Sequence, residues 1–136
     1  MPNKRFGAAS LAQYATLDPR LQTLADEVAE IMDFTIVEGF RGEAAQNEAF
    51  RKKLSQKRWP DGNHNKLPSK AMDVAPYPVD WSDTEKARQR FCVLAGVFIA
   101  VAHRLGIRIR WGGDWDGDLD TRDENFRDLP HVEVLD

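Results

Sequence analysis

The sequence predicts an α+β fold, a small antiparallel sheet with flanking helices, on three observations. Helical and alternating apolar patterns are mixed along the chain without a regular βαβ rhythm. The strand-like runs are short and are cut by proline or glycine. At 136 residues the chain suits one core better than two, so 1–136 is read as a single domain. Apolar residues make up 42% and charged residues 30%, an ordinary mixture for a soluble protein. Acidic and basic residues are interspersed at a net charge of −3, which speaks against a nucleic-acid groove or an acidic tail. A lone cysteine, Cys92, excludes an intrachain disulfide and a cysteine-rich metal cluster, and is assigned to packing inside a helix.

The N-terminus, MPNKRFGAASLAQYA, has two basic residues but no long apolar segment behind them, so it does not read as a secretory signal. A helix is predicted from Asp18 as N-cap, with Pro19 in its first turn, to about Met32. Leu21, Leu24, Ala25, Val28 and Ile31 form its apolar stripe. FTIVEG (34–39) reads as a strand with Phe34, Ile36 and Glu38 on one side, ended by Arg41 and Gly42. A helix from Glu43 to Ser55 and a long loop, KRWPDGNHNKLPS, follow.

AMDVAPY is a short strand stopped by Pro76 and Pro78. Alternation sends Met72 and Val74 to the core and leaves Asp73 with the small residues Ala71 and Ala75. Ser82 with Glu85 makes a capping box for a long helix ending near Leu105, with Gly106 at its C-terminal cap. Its apolar stretch from Phe91 meets His103 and Arg104 after 12 residues, too short to span a bilayer. Synthesis in a cytoplasm, without stable membrane insertion, is therefore expected. IRIRW is the next strand, then the loop GGDWDGDLDTRDENFRDLP, and finally the strand HVEV.

An aspartate inside an apolar strand is costly unless partnered, so Asp73 asks for an explanation. Three histidines are available. His103, in the last turn of the long helix, meets favourable carbonyl partial charge. His64, in a polar loop, reads alone as a surface residue. His131 shares one strand face with Glu133, which by itself suggests a solvated face. If the AMDV and HVEV strands are neighbours with aligned polar faces, Asp73 and His131 converge, and the loop can return His64 to them. Two imidazoles and a carboxylate suit zinc with a fourth position for water.

Hydrolysis also needs a base. Asp128, three residues before His131 across a proline turn, can reach a water without ligating the metal; its competitors are Asp114, Asp116, Asp118, Asp120, Asp123, Glu124 and Glu133. Most of the 114–124 series reads as a solvated acidic loop. Asp116, Asp118 and Asp120 alternate loosely like a calcium loop, without the full twelve-position pattern. Trp111 and Trp115 line a ligand groove or cover the core edge. Arg41, held over a cleft by a strand, would suit a substrate carboxylate through its bidentate fork.

GNHNKLPSKAMDVAPYP together with WGGDWDGD…RDLPHVEV resembles the zinc peptidases that cleave peptidoglycan peptides. That superfamily holds VanY-like D-alanyl-D-alanine carboxypeptidases and the L-alanyl-D-glutamate endopeptidases used as phage endolysins. The resemblance implies a hedgehog/DD-peptidase-like fold and one zinc held by His64, Asp73 and His131. It implies Asp128 as general base and Arg41 in substrate binding; Glu133, on the strand face of His131, is expected to orient the metal site from behind. Here nine residues separate His64 from Asp73, where the common motif has seven, and Gly62 and Ser69 replace the motif's serine and glycine. The resemblance favours an L-alanyl-D-glutamate endopeptidase acting as an endolysin, over a D-alanyl-D-alanine carboxypeptidase or a non-catalytic wall-binding module. A glycosidase using Glu38 would leave the histidine–aspartate set unexplained. A monomer without a wall-binding module is expected. It would be made in the host cytoplasm and would reach periplasmic peptidoglycan with help from a separate membrane-permeabilising protein.

Overall fold

The computed structural model describes residues 6–124 and 126–136; residues 1–5, part of the N-terminus read above, and Asn125 of the acidic loop lie outside them. In chain order the elements are α1 (Ala8–Tyr14), α2 (Pro19–Ala29), β1 (Phe34–Glu38), α3 (Glu43–Arg51), β2 (Ala71–Pro76), α4 (Glu85–Leu105), β3 (Ile109–Trp111) and β4 (His131–Val134). Short 3-10 turns occupy Asn63–Asn65 and Thr121–Asp123. The strands form one sheet in the order β1-β2-β4-β3, with every neighbouring pair antiparallel.

Alternation divides the sheet into two chemically different faces. Ile36, Met72, Val74, Val132, Val134 and Trp111 pack with α2 and α4, whose Leu21, Leu24, Val28, Leu94 and Phe98 are almost inaccessible. Burying each such side chain contributes about 1.5–3 kcal/mol, so this face anchors the fold. The opposite face carries Asp73, His131, Glu133 and Arg110, flanked by α3 and by loops. Register aligns them: Asp73 stands opposite His131, and Glu133 stands between Ala71 and Arg110.

Several element details depart from expectation. Strand β1 bulges between Ile36 and Glu38, so Ile36 pairs with Val74 but Glu38 pairs with Asp73. The extra residue, Val37, turns Glu38 away from the side of Phe34 and Ile36 and onto the polar face. Helix α2 stops at Ala29, and Ile31 beyond it is exposed rather than part of the stripe. Helix α3 ends at Arg51, short of Ser55. The N-cap of α4 is Thr84, whose Oγ1 accepts from Ala87 N, while Ser82 instead donates to Asp80. Gly106 does close α4, at φ 72 in the left-handed region that glycine tolerates. Cys92 is exposed on α4, not packed inside the protein. Helix α1 was not foreseen; Ser10 on it accepts from Ile36 N and ties it to β1. Among the described residues no helix is long and apolar enough to cross a membrane.

Candidate metal and catalytic site

The polar face of β2 and β4 gathers the three residues singled out from the sequence. His64 Nε2 lies 3.2 Å from Asp73 Oδ1, and His131 Nδ1 lies 3.6 Å from the same oxygen. Asp73 and His131 meet because they are direct cross-strand partners. His64 arrives from the 3-10 turn, whose backbone is pinned to the end of β1: Arg41 N donates to His64 O at 2.7 Å. His64 is buried, not a surface histidine, and so are His131 and Glu133, whose strand face was read as solvated.

Each imidazole is oriented by a partner on its other nitrogen. His64 Nδ1 is 2.7 Å from the carbonyl oxygen of Gly39, which fixes Nδ1–H as donor and leaves Nε2 free. His131 Nε2 lies 2.7 Å from Glu133 Oε1, leaving Nδ1 for Asp73. Glu133 Oε2 in turn accepts from Arg110 Nη2 at 2.6 Å and Nε at 3.1 Å. The free atoms are thus His64 Nε2, Asp73 Oδ1 and His131 Nδ1, all within 4.8 Å of one another.

This donor set fits zinc. Ligands on a tetrahedral zinc stand about 3.3–3.5 Å apart, given bonds of about 2.0–2.2 Å. The outer hydrogen bonds have the form that fixes tautomer and ring orientation at such sites. The electrostatics also favour a cation here. Burial works against an ionised Asp73, yet the two imidazoles outweigh it and hold its carboxyl well below the usual range. Burial likewise opposes charge on His131, but Asp73 and Glu133 push it up to about 9. Glu133, despite its burial, is held down to about 2 by His131 and Arg110.

Asp128 stands at the edge of the ligand set, with Oδ2 4.0 Å from His131 Nδ1 and its side chain partly open to solvent. Burial and the Asp73 charge push its pKa up to about 6, against the pull of both imidazoles and Arg41. Its backbone is clamped on both sides: Asp128 N donates to Gly112 O at 2.8 Å, and His131 N donates to Asp128 O at 3.0 Å. Gly112 is required for this clamp, since a Cβ there would lie 2.0 Å from Asp128 O. G112A is therefore expected to lower kcat/KM by about 10²-fold or more through displacement of Asp128 and of His131, which is bonded to both Asp128 O and Gly112 N, the order of loss that about 1 Å of misplacement brings. Kinetics with parallel metal analysis checks it; wild-type turnover in G112A would show that the clamp does not set the carboxylate.

Arg41 is less free than the sequence suggested. Its Nη2 lies 2.7 Å from Glu38 Oε1 and 3.4 Å from Asp73 Oδ2, and Nη1 donates to Gln46 Oε1 at 3.0 Å. It ties the flipped Glu38 to the second oxygen of Asp73. Gln46, fully buried on α3, was missed: it also accepts from Asn65 Nδ2 and donates to Lys57 O and Ser55 Oγ. A glutamine in an amphipathic helix gives no sequence signal for that role. Of the two readings for Trp111, the core edge holds: it is buried, joins the core and donates to Leu129 O. Trp115 lines the cleft with its ring centroid 5.3 Å from that of His131. His103 is exposed and stands outside the site.

Most of the acidic loop is solvated as expected, with Asp116, Asp118 and Asp123 exposed. Two sets of carboxylates converge among the described residues, Asp114 with Asp116 and Asp118, and Asp116 with Asp123 and Glu124, where the sequence pointed to Asp116, Asp118 and Asp120. Asp114 is buried, with Oδ2 accepting from Leu119 N at 2.8 Å. Such a cluster is an oxygen-rich arrangement suited to a hard cation.

A cleft of about 350 Å³ opens over the ligand set, bordered by Arg41, Lys57, Arg110, Trp115 and Asp128. The protein is 36% identical to the L-alanyl-D-glutamate peptidase of Escherichia phage T5 over 96% of this chain and 98% of that one. Its fold is similar to that of Serratia marcescens L-Ala D-Glu endopeptidase ChiX, at a TM-score of 0.72 and 24% identity, covering 94% of this chain and 87% of the other. The model of the phage L-alanyl-D-glutamate peptidase family matches residues 3–135. Nearly the whole chain is thus accounted for by one family, and it belongs to the phage L-alanyl-D-glutamate peptidases.

Proposed function

We propose that the protein hydrolyses the amide between L-alanine and D-glutamate in peptidoglycan stem peptides, as a phage endolysin. The observation that carries this reading is the convergence of His64 Nε2, Asp73 Oδ1 and His131 Nδ1 beside a separately clamped Asp128. Those three atoms would hold one zinc ion, which supplies Lewis acidity towards the scissile carbonyl and makes water acidic enough to attack near neutral pH. Asp128 accepts the proton of the attacking water and returns it to the leaving amine of D-glutamate. Glu133 and Arg110 keep the His131 ring in place, and Arg41 keeps Asp73 in place. Nucleophilic catalysis through a covalent intermediate has no support from the exposed Cys92.

Mass spectrometry of purified muropeptides after digestion tests the reading. New L-alanine C-termini and D-glutamate N-termini are expected. Release of D-alanine alone would assign the carboxypeptidase activity instead, and binding without any product would leave a wall-binding module.

Arg41 yields a second expectation. Lysine keeps the charge but cannot bridge Glu38, Gln46 and Asp73 at once. R41K and R41A should each lose about 10–100-fold in zinc affinity or turnover, the usual cost of removing an outer hydrogen-bond partner. Chelator competition and kinetics on a soluble stem peptide measure both quantities. Unchanged values in both variants would reduce Arg41 to scaffold.

A further inference from the structure

Trp81 is the exposed member of the four tryptophans, with 58% of its surface accessible. It is nevertheless braced. Asp80 Oδ1 accepts from Ser82 N at 2.9 Å and from Ser82 Oγ at 2.6 Å, closing the turn that carries it. Its ring leans on Phe91 of α4, with centroids 5.7 Å apart and planes at 33°. A braced, exposed indole is a preformed apolar contact, and its position says what could cover it. With Asp73, Asp128 and Pro130 it lines a groove of about 600 Å³, which makes it a wall of a second lobe of the active-site cleft.

The two lobes differ in how far their tryptophans are engaged. In the first, the indole of Trp115 is already committed: its N–H donates to Phe126 O at 2.6 Å, its ring stacks on Phe126, and Arg110 lies 5.8 Å from its centre. Both lobes offer cations for the carboxylates of a peptide, Arg110 and Lys57 in the first and Lys52, Lys53 and Arg127 in the second. In the second lobe the indole is open.

The next step rests on the endopeptidase reading given above. The L-alanine of a peptidoglycan stem is joined to the lactyl group of a muramic acid. Its pyranose ring therefore lies about two residue-lengths, or about 7 Å, from the carbonyl that is cut. When the stem is still attached to glycan, cleavage there brings that ring close to the catalytic carboxylate. The C–H face of a pyranose carries weak positive charge and packs on the negative face of an indole.

We propose that Trp81, with the groove it shares with Asp128 and Pro130, is a saccharide subsite that holds the muramic acid ring on the acyl side of the scissile bond. The subsite makes the enzyme prefer stems still attached to glycan over free peptides.

The test compares one stem peptide with and without an N-acetylglucosaminyl-N-acetylmuramyl disaccharide, using zinc-loaded wild type, W81A and W81F. In wild type, kcat/KM is expected to be about 5–10-fold higher on the glycosylated substrate, the worth of one good ring contact. W81A should bring that ratio close to one, mainly through KM, and W81F should keep part of the preference. An equal loss on both substrates in W81A, or no preference in wild type, overturns the subsite. Product masses separate this from failure of the underlying reading. If wild type cuts neither substrate, or removes only D-alanine, the endopeptidase assignment falls and the subsite with it. If wild type cuts both at L-alanine–D-glutamate with a ratio insensitive to W81A, only the subsite falls.

Discussion

Replacing Asp73 by alanine is expected to remove zinc from the protein and to reduce peptidoglycan hydrolysis to background. Asp73 Oδ1 faces both His64 Nε2 and His131 Nδ1, and Oδ2 faces Arg41. Without the carboxylate, two neutral donors remain beside a guanidinium, and a dication has neither the third ligand nor the negative charge that balances it. H64A and H131A should behave alike, each removing one of the three converging atoms. H103A is the control, because His103 is exposed on the last turn of α4 and away from the cleft. Elemental analysis of protein purified without added metal, together with kcat/KM, reads the result. Chelated wild type should regain activity on adding zinc, and D73A should not. Full zinc occupancy in all three ligand variants would place the metal elsewhere.

The residues that make this site were legible because they break local rules. Asp73 stands in an apolar strand, where only partners can justify it, and strict alternation put His131 and Glu133 on one face of β4. What alternation could not supply was the register. That depends on backbone pairing across 58 positions of chain, and it is the pairing of Asp73 with His131 that brings the two side chains together. The same limit explains Glu38: a single bulged residue, Val37, reverses its face, and a bulge leaves no composition signal here. His64 looked like a surface residue since a loop full of Asn, Lys and Pro gives no hint of burial. The turn is buried by contacts with Gly39, Arg41 and Gln46, which lie earlier in the chain. Helix ends were legible only to within a turn. Ile31 fits the apolar period of α2, but the helix stops at Ala29 and the side chain faces solvent.

Glu133 and Asp128 show how geometry divides roles that composition leaves open. Both are acidic, both flank His131, and both were eligible to act as base. Glu133 spends one oxygen on His131 and the other on Arg110, and is held ionised at about 2, so it is a poor proton acceptor near neutrality. Asp128 is pushed up to about 6 and its side chain remains partly open to the cleft. A carboxylate partly open to the cleft beside the converging donors is placed to take a proton from water there.

D128N is accordingly expected to keep zinc and fold while losing about 10²–10⁴-fold in kcat/KM, the ordinary worth of a positioned acid–base group. Asparagine matches the shape of the side chain and leaves untouched the backbone bonds from Asp128 N to Gly112 and from His131 N to Asp128 O. The amide oxygen can still accept a hydrogen bond from water, but it cannot take the proton away. Substrate binding should change little, so the loss should appear in kcat. G112A moves the backbone of Asp128 together with that of His131, so its zinc content is measured beside its rate. Circular dichroism and zinc content of D128N establish that the protein is intact before rates are compared. Near-normal turnover in D128N would transfer the role of base to another group. Glu133 would be the first examined, through E133Q, although its two engaged oxygens predict that E133Q loosens His131 and lowers zinc affinity instead.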